Sequence, residues 1–131
     1  MASGQPGTIL LVDDEPSLRQ IGETMLYYLG FRPILAANGH ECLDIVTEKR
    51  DAIDLIILDL VMPGLDGGGT LEELHKRNIN IPVILTTGFA LRDLNKDKDK
   101  FHLANAVITK PFDMERLGEV IHRVLDNTFL S

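Results

Sequence analysis

The chain has 131 residues, the size of one ordinary domain and enough to bury a core without disulfides or structural metals. Its formal net charge of −7 argues against nucleic acid as a partner, because phosphate binding needs a basic surface. A single cysteine, the absence of any apolar stretch of membrane-spanning length and the absence of a signal peptide predict a cytoplasmic protein with no membrane partner.

Short aliphatic runs that do not alternate with polar residues predict five buried strands. Helical patterns fill the segments between these strands, so the fold class is α/β, with one five-stranded parallel sheet and helices on both faces. Right-handed crossovers are the default for such connections. The predicted strands lie, in chain order, at 8–12, 32–36, 54–59, 83–86 and 106–109.

The helices are predicted from apolar residues at helical spacing. The first begins at Pro16, where the missing N–H is harmless, and ends at Gly30. Asn38 and Gly39 form the turn into the second helix. The apolar positions are Leu18, Ile21, Met25, Leu26 and Leu29 in the first helix; Cys42, Leu43, Ile45 and Val46 in the second; Leu71 and Leu74 in the third; and Leu117, Val120, Ile121 and Val124 in the last.

The two ends of the chain and one internal segment carry weaker signals. Residues 1–7 are small, polar and rich in Gly and Pro, and they predict a disordered tail. The domain is expected over 8–126, with a C-terminal tail at 127–131. Residues 91–104 keep helical spacing in part, but the polar run 95–100 interrupts it, so a weak and mobile helix is predicted there.

Acidic residues stand where two of the predicted strands end. Asp13 and Asp14 follow the first strand, and Asp59 ends the third. Because ligands bind at this edge of open α/β sheets, the three carboxylates are expected to meet there. Clustered carboxylates repel one another, and hard oxygen ligands with room for water suit Mg²⁺. The alternative is that the acids cap a helix or lie in a solvated turn, as Asp14 could before Pro16.

Two further strand ends bring a hydroxyl and an ammonium group to the same edge. The fourth strand ends in Thr86-Thr87-Gly88 and the fifth in Lys110-Pro111. An acid pair, an isolated Asp, a hydroxyl and a lysine suit phosphoryl transfer to a carboxylate, in which the Asp attacks phosphorus.

These residues occur in four motifs that resemble those of response-regulator receiver domains, the phosphoacceptor modules of two-component signalling. The motifs occur in the family's order and spacing, and the resemblance covers about 8–126. It implies the flavodoxin-like strand order 2-1-3-4-5. The four motifs are Leu11-Val12-Asp13-Asp14-Glu15-Pro16, Leu58-Asp59-Leu60-Val61-Met62-Pro63-Gly64-Leu65-Asp66-Gly67, Leu85-Thr86-Thr87-Gly88 and Thr109-Lys110-Pro111-Phe112.

The resemblance implies a role for each position of the expected site. Asp59 matches the residue that receives a phosphoryl group from a histidine kinase or a histidine phosphotransfer protein. Thr87 matches the hydroxyl that moves to bind that group, and Lys110, joined to Pro111 by a cis bond, matches the lysine that pairs with it. The implied Mg²⁺ ligands are Asp13, Asp14, Asp59 and the backbone carbonyl of Val61.

Three positions depart from the family or bear on how it signals. Val107 stands where members often carry an aromatic switch residue, which puts coupling by a rotamer flip in doubt. The polar run 95–100 replaces a leucine-bearing helix, and Phe89 is bulky enough to shield a phosphoryl group from water. The sequence leaves the downstream target open, allows a weak homodimer, and fits either a single-domain regulator or a piece of a longer protein.

Two other function classes use a similar topology. A phosphatase of the haloacid-dehalogenase type needs a second Asp two residues after the nucleophile, where this chain has Val61. A flavodoxin-like cofactor protein needs a hydroxyl-rich phosphate loop after the first strand, where Asp13 and Asp14 would repel phosphate. Both are therefore kept only as alternatives to the phosphoacceptor.

Overall fold

The structure, a computed structural model, describes residues 7–88 and 102–130. The predicted helix at 91–104, its polar run 95–100 and Phe89 lie outside these residues, except for 102–104, which form a turn. The strands are β1 (Thr8–Val12), β2 (Arg32–Ala36), β3 (Leu55–Asp59), β4 (Val83–Thr87) and β5 (Ala106–Thr109). The helices are α1 (Pro16–Tyr28), α2 (Gly39–Lys49), α3 (Gly67–Lys76) and α4 (Met114–Leu130), with a short 3₁₀ turn, Arg50–Ala52, after α2.

The five strands form one parallel sheet in the order β2-β1-β3-β4-β5, which confirms the predicted fold. Val12 of β1 lies beside Leu58 of β3, and Asp59 lies beside Thr86 of β4. This register brings the C-terminal ends of the central strands level with one another. The residues that follow β1 and end β3 therefore meet at one edge of the sheet.

Two apolar layers cover the sheet, because neighbouring strand residues point to opposite faces. Leu10 and Ile56 belong to the layer under α2 and α3, while Ile9 and Ile57 belong to the layer under α1 and α4. All five residues of β3 are buried, as expected for a central parallel strand. Because β3 is buried on both faces, its position in the sheet is fixed. The position of Asp59, its last residue, is fixed with it.

Cys42 is fully buried in the layer under α2. Burial raises the pKa of its thiol to about 12, so the thiolate is scarce at neutral pH. The residue packs as a small apolar side chain.

The predicted apolar stripe of α1 is wrong at two positions, because Leu18 and Ile21 are 43% and 51% exposed. The line of α1 that approaches the sheet passes through Gly22 and Leu26 instead. A Cβ atom at Gly22 would lie 2.6 Å from the Leu11 side chain, so the helix packs closely there. Leu18 and Ile21 lie on the solvent side of that contact.

The last helix extends beyond the C-terminal boundary that the sequence predicts. Residues 127–130, expected as a tail, continue α4 as far as Leu130. No Gly or Pro occurs after residue 126 to end the helix. None of the helices that the structure describes has the length and hydropathy needed to cross a membrane.

Candidate functional site

Asp13 is held firmly at the end of β1. Its backbone N–H donates to the carbonyl oxygen of Ala36 at 3.1 Å, which continues the ladder to β2 by one bond. Its Oδ1 accepts a hydrogen bond from the backbone N–H of Glu15 at 3.0 Å, which closes the turn into α1. The side chain is buried, so its orientation is fixed by these contacts rather than by solvent.

Asp59 is positioned by the loop that follows β3. The N–H of Leu60 donates to the carbonyl of Thr86 at 2.8 Å, and the N–H of Gly67 donates to the carbonyl of Leu60 at 2.9 Å. The loop therefore folds back so that α3 begins against the end of β3. The N–H of Val61 also donates to Oδ1 of Asp59, at a long 3.4 Å.

Lys110 connects the two buried acids. Its ammonium group lies 3.1 Å from Oδ2 of Asp13 and 3.3 Å from Oδ2 of Asp59. Its backbone N–H donates to the carbonyl of Thr87 at 2.7 Å, and its bond to Pro111 is cis, as the resemblance to the family implies. The end of β5 thus delivers one positive charge between two carboxylates.

Asp13, Asp14 and Asp59 each offer a carboxylate oxygen within 4.8 Å of the others, a spacing that could hold a metal ion. Asp14 is half-buried, and no hydrogen bond or ion pair involves its carboxylate in the described part of the chain. Three hard oxygen donors, two of them buried and one half-buried, are a donor set that suits Mg²⁺.

Asp14 does not cap α1, so the alternative interpretation of Asp14 as a helix cap is wrong. The N-cap position is Glu15, and its side chain makes no capping hydrogen bond. Asp13 does close the turn, so one acid of the pair carries a structural role. The other has its carboxylate available to a ligand.

The charges at the site shift two pKa values. Burial raises the pKa of the Asp59 carboxyl, and the neighbouring Asp13 adds to this, although Lys110 acts against it. Burial alone would lower the pKa of Lys110, but the attraction of Asp59 and Asp13 exceeds that effect and raises it. Lys110 is therefore charged at neutral pH, whereas burial disfavours the charged form of Asp59.

Of the other positions named from the sequence, Thr87 and Val61 lie at the same edge. Thr87 is fully buried and ends β4, next to Thr86, the register partner of Asp59. The Val61 side chain is 51% exposed, and Val107 is partly buried against the layer under α2 and α3. Val107 lies inside β5 as the register partner of Leu85, so this position carries no aromatic side chain and is not at the strand end.

Two residues of the site were missed by the sequence analysis. Nη1 of Arg19 donates to the backbone carbonyl of Asp13 at 2.7 Å. Gly67 lies so close to β3 that a Cβ atom there would be 2.5 Å from the carbonyl oxygen of Asp59. An arginine in a first helical turn is ordinary, and Gly67 stands among three consecutive glycines, so neither position carried a distinctive signal.

Comparison with known proteins identifies related chains over most of this sequence. Residues 9–122 match the family model described as the response regulator receiver domain. The probable transcriptional regulator ycf27 of Porphyridium aerugineum is 42% identical over 122 residues, which cover 92% of this chain and 49% of that protein. Sporulation initiation phosphotransferase F of Bacillus subtilis is 32% identical over 117 residues, covering 89% of this chain and 92% of that protein. This chain therefore spans about half the length of the ycf27 protein.

Solved structures share the same fold. A response regulator receiver domain protein from Clostridium thermocellum has a TM-score of 0.85 at 30% identity, covering 95% of this chain and 98% of that one. The response regulator TrrA from Thermotoga maritima, solved in complex with Mg²⁺ and BeF, has a TM-score of 0.80 at 29% identity, covering 90% and 98%.

Proposed function

We propose, since this chain belongs to the family of response regulator receiver domains, that Asp59 accepts a phosphoryl group from a histidine kinase or a histidine phosphotransfer protein. The observation that carries this proposal is the Asp59 carboxylate itself. It ends the central strand, lies 3.3 Å from the Lys110 ammonium group and shares a cluster with two further acids. A nucleophilic carboxylate, a fixed cation and a metal-binding acid pair are the parts that phosphoryl transfer to Asp requires.

The proposed step exchanges one bond for another at phosphorus. An oxygen of Asp59 attacks the phosphorus atom, a P–O bond forms, and the P–N bond to the donor imidazole breaks. Lys110 stays protonated throughout and pairs with a phosphoryl oxygen. The Thr87 hydroxyl donates to another phosphoryl oxygen once the group is in place.

Asp13, Asp14, Asp59 and the backbone carbonyl of Val61 are the proposed ligands of Mg²⁺. When bound, the ion neutralises charge on the acids and on the phosphoryl oxygens. The TrrA structure, which contains Mg²⁺ and BeF, supports this assignment for a relative of the same fold. In this chain the support is the three-carboxylate cluster.

The proposed function is tested by uptake of phosphate from a small donor. The purified chain incubated with acetyl phosphate and Mg²⁺ is expected to gain one phosphoryl group, observed by intact mass, and to lose it in base as an acyl phosphate does. The same incubation with a chelator in place of Mg²⁺ is expected to leave the mass unchanged. Absence of uptake with Mg²⁺, or equal uptake with chelator, would contradict the proposal.

An apolar surface beside the site is the proposed contact for the phosphodonor protein. A groove of about 460 Å³ is lined in part by Lys110 and by four apolar residues, named here the α1 patch: Leu18, Ile21, Met25 and Phe112. Exposed apolar residues that share one groove mark an interaction surface more often than scattered ones do. A helix that carries a phosphorylated histidine could pack here with its phosphoryl group toward Asp59.

Leu18→Ala and Ile21→Ala are each expected to slow transfer from a kinase that phosphorylates the wild-type chain, by roughly tenfold as for a central interface residue. Transfer from acetyl phosphate should be unchanged, because neither side chain touches the reacting atoms. Tyr27→Ala is the matched control, since Tyr27 is 73% exposed and helical periodicity puts it on the other side of α1. An equal loss with both donors, or an equal effect of Tyr27→Ala, would place the donor contact elsewhere.

A further inference from the structure

α1 begins without the side-chain N-cap hydrogen bond that α2 and α3 have. The side chain of Asn38 caps α2 through the N–H of Glu41, and the side chain of Asp66 caps α3 through the N–H of Gly69. The N-cap residue of α1, Glu15, makes no such bond. The turn between the metal-binding acids and α1 is therefore held by something else.

Two bonds to Asp13 hold this turn. One is the bond from the N–H of Glu15 to Oδ1 of Asp13. The other comes from Arg19, whose Nη1 reaches back over the first turn of α1 and donates to the carbonyl oxygen of Asp13 at 2.7 Å. The Arg19 bond is the shorter of the two, and its donor carries a charge, which makes such a bond stronger than a neutral one.

The carbonyl that Arg19 binds belongs to the peptide unit that joins Asp13 to Asp14. Because a peptide unit is planar, fixing its oxygen fixes the direction in which the Cα atom of Asp14 leaves it. Among the described residues, no hydrogen bond to the Asp14 side chain itself sets its direction. The orientation of this carboxylate therefore depends on the backbone that Arg19 holds.

We propose that Arg19 is a positioning residue for the metal site, which holds the Asp13–Asp14 peptide unit so that the Asp14 carboxylate stays directed at the ion. The inference rests on the proposed Mg²⁺ site and goes beyond it by adding a residue that does not touch the ion. A positive charge near a cation site opposes binding by simple electrostatics. If Arg19 positions Asp14, removing Arg19 should weaken Mg²⁺ binding. If its charge alone matters, removing it should strengthen Mg²⁺ binding.

Arg19→Met removes the charge and the donors but keeps the length of the side chain. Its affinity for Mg²⁺, measured by titration calorimetry with Mg²⁺ alone at fixed ionic strength, is expected to fall about tenfold, as for loss of a residue that orients a ligand. Arg19→Lys, which can still donate to the carbonyl, should recover most of the affinity. Wild-type or tighter binding by Arg19→Met would overturn the proposal.

Arg77→Met is the matched control, because Arg77 also bonds within its own helical segment, to Glu73, at the end of α3 remote from the acids. Arg77→Met should bind Mg²⁺ with wild-type affinity. If it loses as much affinity as Arg19→Met does, the effect of Arg19→Met comes from net charge or fold stability, and the positioning role is refuted. Asp14→Asn should bind most weakly of all. If the wild type binds no Mg²⁺, or Asp14→Asn binds as the wild type does, the metal site itself fails and the role of Arg19 fails with it.

Discussion

Asp59→Asn is expected to abolish phosphoryl uptake from a small donor. The reason is chemical, because an amide oxygen is a far weaker nucleophile than a carboxylate and cannot form the acyl phosphate. The substitution keeps the shape of the side chain and leaves an oxygen that can accept from the ammonium group of Lys110. Intact mass after incubation with acetyl phosphate and Mg²⁺ measures the loss directly.

The control for this variant lies just before the same strand. Asp54 precedes β3, and its Oδ2 accepts a bond from the N–H of Thr8 that an Asn oxygen would preserve. Asp54→Asn should therefore take up one phosphoryl group, as the wild type does. Full uptake by Asp59→Asn at another acid, located by peptide mapping, would contradict the assignment.

Asp59→Asn is also expected to change the stability of the fold, and the sign of that change follows from the pKa of Asp59. Burial raises that pKa above its ordinary value of 3.8, so the folded chain binds the proton more tightly than the unfolded chain does. The stability linked to this group is therefore full below 3.8 and is lost as the pH rises through the raised value. Asp59→Asn has no such charge, and with a chelator present it should melt above the wild type at neutral pH. The difference should shrink as the solution is acidified.

The sequence was sufficient for the sheet and for the acids. Short aliphatic runs such as 55–58 usually form buried strands in a chain of this size. The ends of those strands then determine which polar residues lie close together. Asp13 and Asp59 could therefore be placed together before the fold was known. The resemblance to the receiver family then added roles for Thr87 and Lys110 that spacing alone does not give.

The sequence was insufficient where the outcome depends on how closely two elements pack. Helical spacing identifies an apolar stripe on α1 that includes Leu18 and Ile21, but it does not give the width of the buried part, and both residues are exposed. The bond from Arg19 to the Asp13 carbonyl depends on one side-chain conformation and on the turn before α1. Neither feature leaves a periodic signal, and both lie beside the proposed site.

A second large effect is expected from the close approach of α3 to β3, which ends in the proposed phosphoacceptor Asp59. A Cβ atom at Gly67 would lie 2.5 Å from the carbonyl oxygen of Asp59 and 2.6 Å from the Cα atom of Leu60. Both are backbone atoms, so relief requires a shift of the strand end or of the whole helix. Gly67→Ala is expected to lower the free energy of unfolding by about 1–3 kcal/mol, as overpacking does. It should also slow phosphoryl uptake, because Asp59, the proposed nucleophile, ends this strand.

Gly69→Ala separates this effect from the general effect of a helical alanine. Gly69 lies in the same first turn of α3, and its Cβ atom would meet only side-chain atoms, with the Leu65 methyl group nearest at 2.9 Å. That methyl group can move, and alanine favours the helix by about 1 kcal/mol over glycine. Gly69→Ala should therefore be neutral or stabilising and should keep wild-type uptake. Thermal unfolding and the acetyl phosphate reaction, measured on both variants, test this contact. If Gly67→Ala is as stable and as active as Gly69→Ala, α3 can move away from Asp59 at little cost, and the prediction is wrong.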